Sequence, residues 1–108
     1  MKKRELGKMG EDLAAALLEA EGYRTVKRNY YCRYGEIDII SRKGNVLYFT
    51  EVKTRRTMEF GRPLEAVTGE KVYHMKRSAA EFMTENGYRG DSDFMVVEVY
   101  VNLIPHFI

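Results

Sequence analysis

Asp38, Glu51 and Lys53 lie near the middle of the chain. Two acids and a lysine are side chains that can bind a divalent cation and a phosphate. Carboxylate oxygens are the ligands that Mg²⁺ and Mn²⁺ prefer. A neighbouring lysine can orient or deprotonate a water molecule, or neutralise charge on a phosphate. The step from Glu51 to Lys53 also arises by chance in a chain with 16 acids, so it is not specific on its own. The three residues must therefore be judged by the elements that position them.

The two acids lie on β-rich runs, residues 35–42 and 46–53, which predict a β-hairpin. If Gly44-Asn45 is its two-residue loop, as a Gly-first pair allows in a type II′ turn, Asp38 lies directly opposite Glu51. Cross-strand neighbours on one face have Cβ atoms about 5 Å apart. We therefore expect Asp38 and Glu51 to hold one divalent cation, Mg²⁺ or Mn²⁺.

The same register places Glu36 opposite Lys53, on the face that Asp38 and Glu51 share, because side chains alternate along a strand. This arrangement leaves a second interpretation open. The four side chains could form a ladder of surface ion pairs on a half-exposed hairpin, since structural ion pairs are common.

The first helix is predicted over residues 3–21 by apolar side chains at helical spacing. Its expected apolar stripe consists of Leu6, Met9, Leu13 and Leu17, widened by Gly10, Ala14 and Leu18. Glu11 lies at the border of this stripe, so it can face inward toward the acids of the hairpin. It could equally be an ordinary acid near a helix N-terminus.

Basic residues alternate with tyrosines in residues 22–35, a stretch that contains no acid. The basic excess is N-terminal, since residues 1–60 hold 13 Lys and Arg against 9 Asp and Glu, whereas residues 61–108 hold 5 against 7. Cations that meet phosphates, beside rings that stack on bases, are typical of a nucleic-acid surface. The alternative is an edge strand whose charges prevent pairing with another sheet.

A second helix is predicted from the N-cap residue Thr68 to residue 86, and a buried strand over residues 94–101. The element order is then α-β-β-β-α-β. Lys71 falls at the third position of the second helix, where a cation opposes the helix dipole, which favours a role at a site or on a phosphate. The loop over residues 54–63 holds three arginines, which either contact a nucleic-acid backbone or are simply solvated.

The size and composition favour one folded domain over residues 1–108, with 44% hydrophobic and 31% charged residues. A single cysteine excludes an internal disulfide, and with only two histidines no Cys/His zinc site is expected. No apolar run approaches the roughly 20 residues that span a bilayer. We therefore expect a cytoplasmic protein that does not enter the membrane, and we expect no chemical role for Cys32, His74 or His106.

The ordered motifs of the chain resemble those of the YraN family over nearly the whole length. The matching segments are Gly10-Glu11, Arg28-Asn29, Gly35-Glu36-Ile37-Asp38, residues 49–55, residues 60–67 and Lys71. That family is similar to the PD-(D/E)xK nuclease superfamily, and in particular to archaeal Holliday-junction resolvases. One departure is Asp91, which stands where the family tends to have an arginine.

The resemblance implies an α/β restriction-endonuclease-like core, with a central mixed β-sheet flanked by helices. It also implies catalytic residues at Asp38, Glu51, Lys53 and Glu11, with Asp38, Glu51 and Glu11 as metal ligands and Glu11 joining or bordering the site. Nucleic acid is expected to contact a set of polar and basic side chains. These are Arg28, Asn29, Arg33, Arg55, Arg56, Arg62 and Lys71.

The function expected from these residues is a Mg²⁺- or Mn²⁺-dependent endonuclease that acts on DNA, with branched DNA as one candidate substrate. Symmetric cleavage needs two sites and so motivates a homodimer. A nucleic-acid-binding or interaction module that keeps the nuclease fold without cleaving is the alternative. A structural partner in a larger complex, with neither metal nor DNA affinity, is a third hypothesis.

Overall fold

The computed structural model describes residues 1–56 and 68–108, which form two helices and four strands. These are α1 (Lys3–Ala20), β1 (Arg24–Cys32), β2 (Gly35–Lys43), β3 (Val46–Arg56), α2 (Gly69–Glu85) and β4 (Asp91–Val101). The predicted order α-β-β-β-α-β and the predicted α/β class are confirmed.

The four strands form one mixed sheet in the order β1-β2-β3-β4. The first three are antiparallel, and β4 runs parallel to β3. The hairpin register is the predicted one, from the pair Lys43 and Val46 at the turn to the pair Ile39 and Thr50. Gly44 has a φ of 61°, which a glycine adopts without strain, so this residue allows the tight two-residue turn.

The two helices lie on opposite faces of the sheet. Phe49 and Ile40 pack with α2 residues, whereas the adjacent Ile39 packs with Ala14 and Leu18 of α1. Because neighbouring strand residues point to opposite faces, these two apolar clusters are separated by the sheet. Any side chain of α1 therefore approaches the hairpin from the side away from α2.

The buried stripe of α1 differs from the predicted one. Met9, Leu13 and Leu17 are each about half exposed, and the residues that face the sheet are Gly10, Ala14 and Leu18. The reason is steric. A side chain at Gly10 would overlap that of Thr54 on β3, so only the smallest residue lets the helix approach so closely. The face with small side chains therefore packs inward.

The N-terminus of α2 is fixed as predicted, because the Thr68 hydroxyl accepts a hydrogen bond from the main-chain N–H of Lys71 at 3.1 Å.

The prediction of a buried last strand is wrong. Among the strands of residues 1–56 and 68–108, β4 is an edge strand beside β3. Its central residues are half-buried, and Phe94 is exposed. Strand β1 is the other edge, as the alternative interpretation of the basic segment expected. Neither α1 nor α2 is long and apolar enough to cross a membrane.

Candidate metal and phosphate site

The carboxyl groups of Asp38 and Glu51 line the same cleft, between the open end of the hairpin and the first turns of α2. The cleft has a volume of about 270 Å³, and both acids are buried, with 7% and 8% of their surface exposed. The register of the hairpin explains why they meet, since each extends the β2–β3 ladder by one position beyond the pair Ile39 and Thr50. Two buried acids on one face have to be compensated by cations.

Asp38 is held by the main chain of the neighbouring strand. Its Oδ2 atom accepts a hydrogen bond from the N–H of Val52 at 2.8 Å. Burial raises the pKa of Asp38 to about 7, the hydrogen bond from Val52 opposes this, and the nearby carboxylates of Glu51, Glu11 and Glu36 raise it further. A cation bound beside Asp38 would relieve this accumulated negative charge.

Glu51 is compensated by two lysines that approach the same oxygen, Oε1. Lys71 Nζ lies 2.7 Å from it and Lys53 Nζ lies 3.4 Å from it. The Lys71 ammonium lowers the pKa of Lys53. Burial is the largest single effect on Lys71 and lowers its pKa, but the hydrogen bonds to Glu51 and Lys53 and the charges of Glu51 and Asp38 together outweigh burial, so the pKa is raised. The cleft is thus lined by three acids, Glu36, Asp38 and Glu51, and by the amine of Lys71, and the Lys53 amine contacts Glu51.

Glu11 is not brought into one group with Asp38 and Glu51. It lies on α1, lines clefts with Lys53 and with Glu36, and accepts a hydrogen bond from the side-chain amide of Asn29 at 2.9 Å. Within residues 1–56 and 68–108, no three acid, histidine or cysteine side chains come together as a metal-binding group. The expected set of three carboxylate ligands is therefore not assembled, because α1 packs on the opposite face of the sheet.

The basic residues expected to contact nucleic acid occupy different environments. Arg28 Nη2 donates to Asp12 Oδ1 at 2.8 Å, and its Nε is buried without a partner among the described residues, as is Nε of Arg55. Arg56 is exposed and lines a cleft together with Lys53. Arg62 lies outside the described residues. Nucleic-acid contact by these four residues stays a prediction.

A cluster of two arginines and a tyrosine adjoins the cleft through the tyrosine. The guanidinium carbons of Arg33 and Arg77 lie 4.9 Å and 4.6 Å from the centroid of the Tyr34 ring. Arg77 Nη2 also donates to the Tyr34 hydroxyl at 2.7 Å, and Tyr34 lines the cleft. In the part of the chain that the structure describes, neither guanidinium lies within 4.0 Å of a carboxylate oxygen.

Arg77 was not singled out from the sequence, and no chemical role was expected for His74. Both follow Lys71 at intervals of three, which places them on successive turns of α2, and His74 lines the cleft. That spacing was the available signal. It could be used only once the hairpin was known to face α2.

Residues 10–99 match the sequence profile of a family described as "Uncharacterised protein family UPF0102". The chain belongs to UPF0102. Three UPF0102 proteins illustrate the similarity. One from Caldicellulosiruptor saccharolyticus is 46% identical over 95% of this chain and 88% of its own length. Those from Leifsonia xyli subsp. xyli and Moorella thermoacetica are 52% and 44% identical, over 80% and 94% of this chain and 73% and 86% of their own lengths.

Membership of UPF0102 confirms the resemblance to the YraN family. The matched region extends from Gly10 to Val99 in β4, so it includes the acids of the cleft, both lysines and the cluster around Tyr34. The UPF0102 match thus covers the whole candidate site.

Proposed function

We propose that this protein is a Mg²⁺- or Mn²⁺-dependent endonuclease acting on DNA. The observation that supports it best is the pair of buried carboxyl groups, Asp38 and Glu51, that line one cleft, with the amines of Lys53 and Lys71 both contacting Glu51. Acids that bind a divalent cation, beside amines that meet a phosphate, are the groups that metal-assisted phosphodiester hydrolysis requires.

The donor set of the cleft fits a hard divalent cation. Mg²⁺ is commonly held by one or two carboxylates together with waters and substrate phosphates, so Asp38 and Glu51 suffice without Glu11. Burial and the neighbouring carboxylates raise the pKa of Asp38, and a bound cation would offset both effects. Both ligands are oxygen atoms on rigid strands, which favours Mg²⁺ or Mn²⁺ over metals that prefer nitrogen or sulfur.

The side chains around the cation would divide the chemistry among them. When bound, the cation would polarise the scissile phosphate and lower the pKa of a water. Lys53, two residues from Glu51 on the same strand, would stabilise negative charge near the attacking water. Glu11, held by Asn29, would act from the neighbouring cleft by its charge and would not bind the cation.

The surface around the cleft supports a nucleic acid as the substrate. Arg33, Tyr34 and Arg77 form a cationic and aromatic cluster that adjoins the cleft through Tyr34, and Lys71 lines the same cleft and contacts Glu51. Exposed guanidinium groups that, within residues 1–56 and 68–108, form no ion pair within 4.0 Å are suited to phosphates. We expect this surface, together with Arg56, to position the DNA backbone.

A nucleic-acid-binding module that does not cleave is the second candidate, and one observation favours it. Glu51 is already neutralised by the ammonium groups of Lys53 and Lys71, as a purely structural ion pair would be. In that case DNA would bind to the cationic surface without any requirement for a metal. A homodimer is compatible with either candidate.

The test uses labelled linear, nicked, flapped and four-way DNAs incubated with the protein in Mg²⁺, Mn²⁺ or EDTA. We expect cleavage with a divalent cation only, and loss of cleavage in Asp38→Asn and Glu51→Ala preparations, which also control for contaminating nucleases. Binding measured by fluorescence anisotropy should survive in Asp38→Asn. Tight binding without cleavage by the wild type would favour the binding module, and cleavage by Asp38→Asn would refute the metal site.

A further inference from the structure

One oxygen of Glu51 is shared by two ammonium groups that belong to different elements. Lys53 lies on β3, as does Glu51, whereas Lys71 reaches the same Oε1 atom from α2 and makes the closer contact, 2.7 Å against 3.4 Å. Two cations therefore lie beside one buried anion. Glu51 lines the same cleft as Asp38 and Lys71.

The two lysines differ in how easily their ammonium groups can move away from Glu51. The strand fixes Lys53 two residues from its partner, on the same face. Lys71 lies in the first turn of α2, where the helix dipole disfavours a cation, and it has the larger exposed fraction, 33% against 23%. Its flexible four-carbon stem lets the ammonium group move while the backbone stays capped by Thr68.

The surroundings offer Lys71 a second position. Lys71 lines the cleft together with Tyr34, and the guanidinium groups of Arg33 and Arg77 pack over the Tyr34 ring. A phosphate bound by these arginines at Tyr34 would lie at the cleft that Lys71 also lines. The ammonium group could then exchange a carboxylate oxygen for a phosphate oxygen.

We propose that Lys71 is an exchangeable counter-ion of the metal site. It neutralises Glu51 while the cleft holds neither cation nor nucleic acid, and it moves to a backbone phosphate when both bind. This inference rests on the proposed function. A divalent cation competes with Lys71 for Glu51, and a DNA phosphate competes with Glu51 for Lys71. Each ligand therefore breaks the contact that opposes the other, so the cation and DNA bind with positive coupling.

The first test measures Mn²⁺ affinity by calorimetry, without DNA, for the wild type and for Lys71→Met. Because removing the ammonium group leaves Glu51 available, we expect Lys71→Met to bind Mn²⁺ roughly tenfold more tightly. Lys76→Met removes an equal charge from an exposed position on the same helix and should leave the affinity unchanged. Lys71→Arg keeps the charge and should stay near the wild type, and Lys71→Gln replaces Lys71→Met if that variant does not fold.

The second test measures the affinity for a dye-labelled DNA duplex in Ca²⁺ and in EDTA, with gels to check that the duplex is intact. We expect Ca²⁺ to raise the affinity of the wild type by a larger factor than that of Lys71→Met. Equal factors would overturn the transfer of Lys71 to a phosphate.

The outcomes separate the inference from the function on which it rests. If Asp38→Asn abolishes Mn²⁺ binding while the wild type and Lys71→Met bind equally, Lys71 is an ordinary ion-pair partner and the metal site stands. If no Mn²⁺ binding depends on Asp38 in either protein, the metal site itself fails. Tighter binding by Lys71→Met and Lys76→Met alike would show a general charge effect and would also overturn the proposal.

Discussion

The Oδ2 atom of Asp38 accepts a hydrogen bond from the main-chain N–H of Val52, at 2.8 Å, just beyond the last β2–β3 pair. The carboxyl group thereby takes the place of a main-chain acceptor in the ladder. This contact anchors a side chain that burial and three neighbouring acids would otherwise keep protonated near neutral pH. Asp38 therefore connects the stability of the hairpin to the chemistry of the cleft.

The first prediction concerns the pH dependence of stability in EDTA. The folded-state pKa of Asp38, about 7, lies above its ordinary value of 3.8, so the folded protein retains a proton that the unfolded chain has lost. The free energy of unfolding should therefore fall as the pH rises from about 4 to about 7. Asp38→Asn should be more stable than the wild type at pH 8, by roughly 2–4 kcal/mol, and equal to it at pH 4.

Urea unfolding at the two pH values measures this difference. Asp91→Asn, a change of the same type at an exposed position, serves as the control and should follow the wild type. A difference between Asp38→Asn and the wild type that does not vary with pH would contradict the assigned titration.

The second prediction concerns the approach of α1 to the sheet. Gly10→Ala should lower the free energy of unfolding by about 1–3 kcal/mol, because the added methyl group would overlap the side chain of Thr54. Gly7→Ala in the same helix meets no atom within 4 Å and should raise stability by about 0.5–1 kcal/mol. Thermal unfolding of both variants tests this, and similar effects at the two positions would show that the contact is not close.

The third prediction concerns the cluster around Tyr34. If Arg33 and Arg77 each contact a phosphate, replacing both by alanine should reduce the slope of log K for DNA against log salt by about 2. Arg89→Ala is the matched control, since Arg89 follows Tyr88, which bonds to Asn45 at the other end of the hairpin. An unchanged slope in the double variant would place the DNA contact elsewhere.

The fourth prediction concerns metal binding to the folded chain. Mn²⁺ at 100 times its dissociation constant should stabilise the wild type by about 2.7 kcal/mol, which raises the Tm by several degrees. The shift should vanish in Asp38→Asn and return to the baseline when EDTA is added. Equal shifts in the wild type and Asp38→Asn would mean that Mn²⁺ binds at another place.

The sequence was sufficient for the hairpin because its information is local. Gly44 permits the turn, and the turn sets the register that brings Asp38 and Glu51 to one cleft. The position of Lys71 against Glu51 was only partly predictable. A cation in the first turn of a helix is unfavourable enough to indicate a partner, but which carboxylate it meets depends on how α2 crosses the sheet.

Three features were not predictable because they depend on packing between distant elements. The inward face of α1 is chosen by the close contact of Gly10 with Thr54, which hydrophobic spacing cannot reveal when both faces carry leucines. The position of Glu11 follows from the same choice, because the helix lies on the face opposite α2. The half-exposed β4 likewise depends on strand order, which its apolar composition does not encode.

The tight turn of the hairpin has a consequence for the order of folding events. The two acids of the cleft are separated by a single tight turn, whereas Lys71 arrives from a helix that follows β3 in the chain. Hairpins form within microseconds, so the acids meet before this counter-ion is in place. Their repulsion should slow the early steps, and stopped-flow refolding of Asp38→Asn at pH 8 should be faster than that of the wild type. The cleft is then a kinetic obstacle that the chain tolerates during folding.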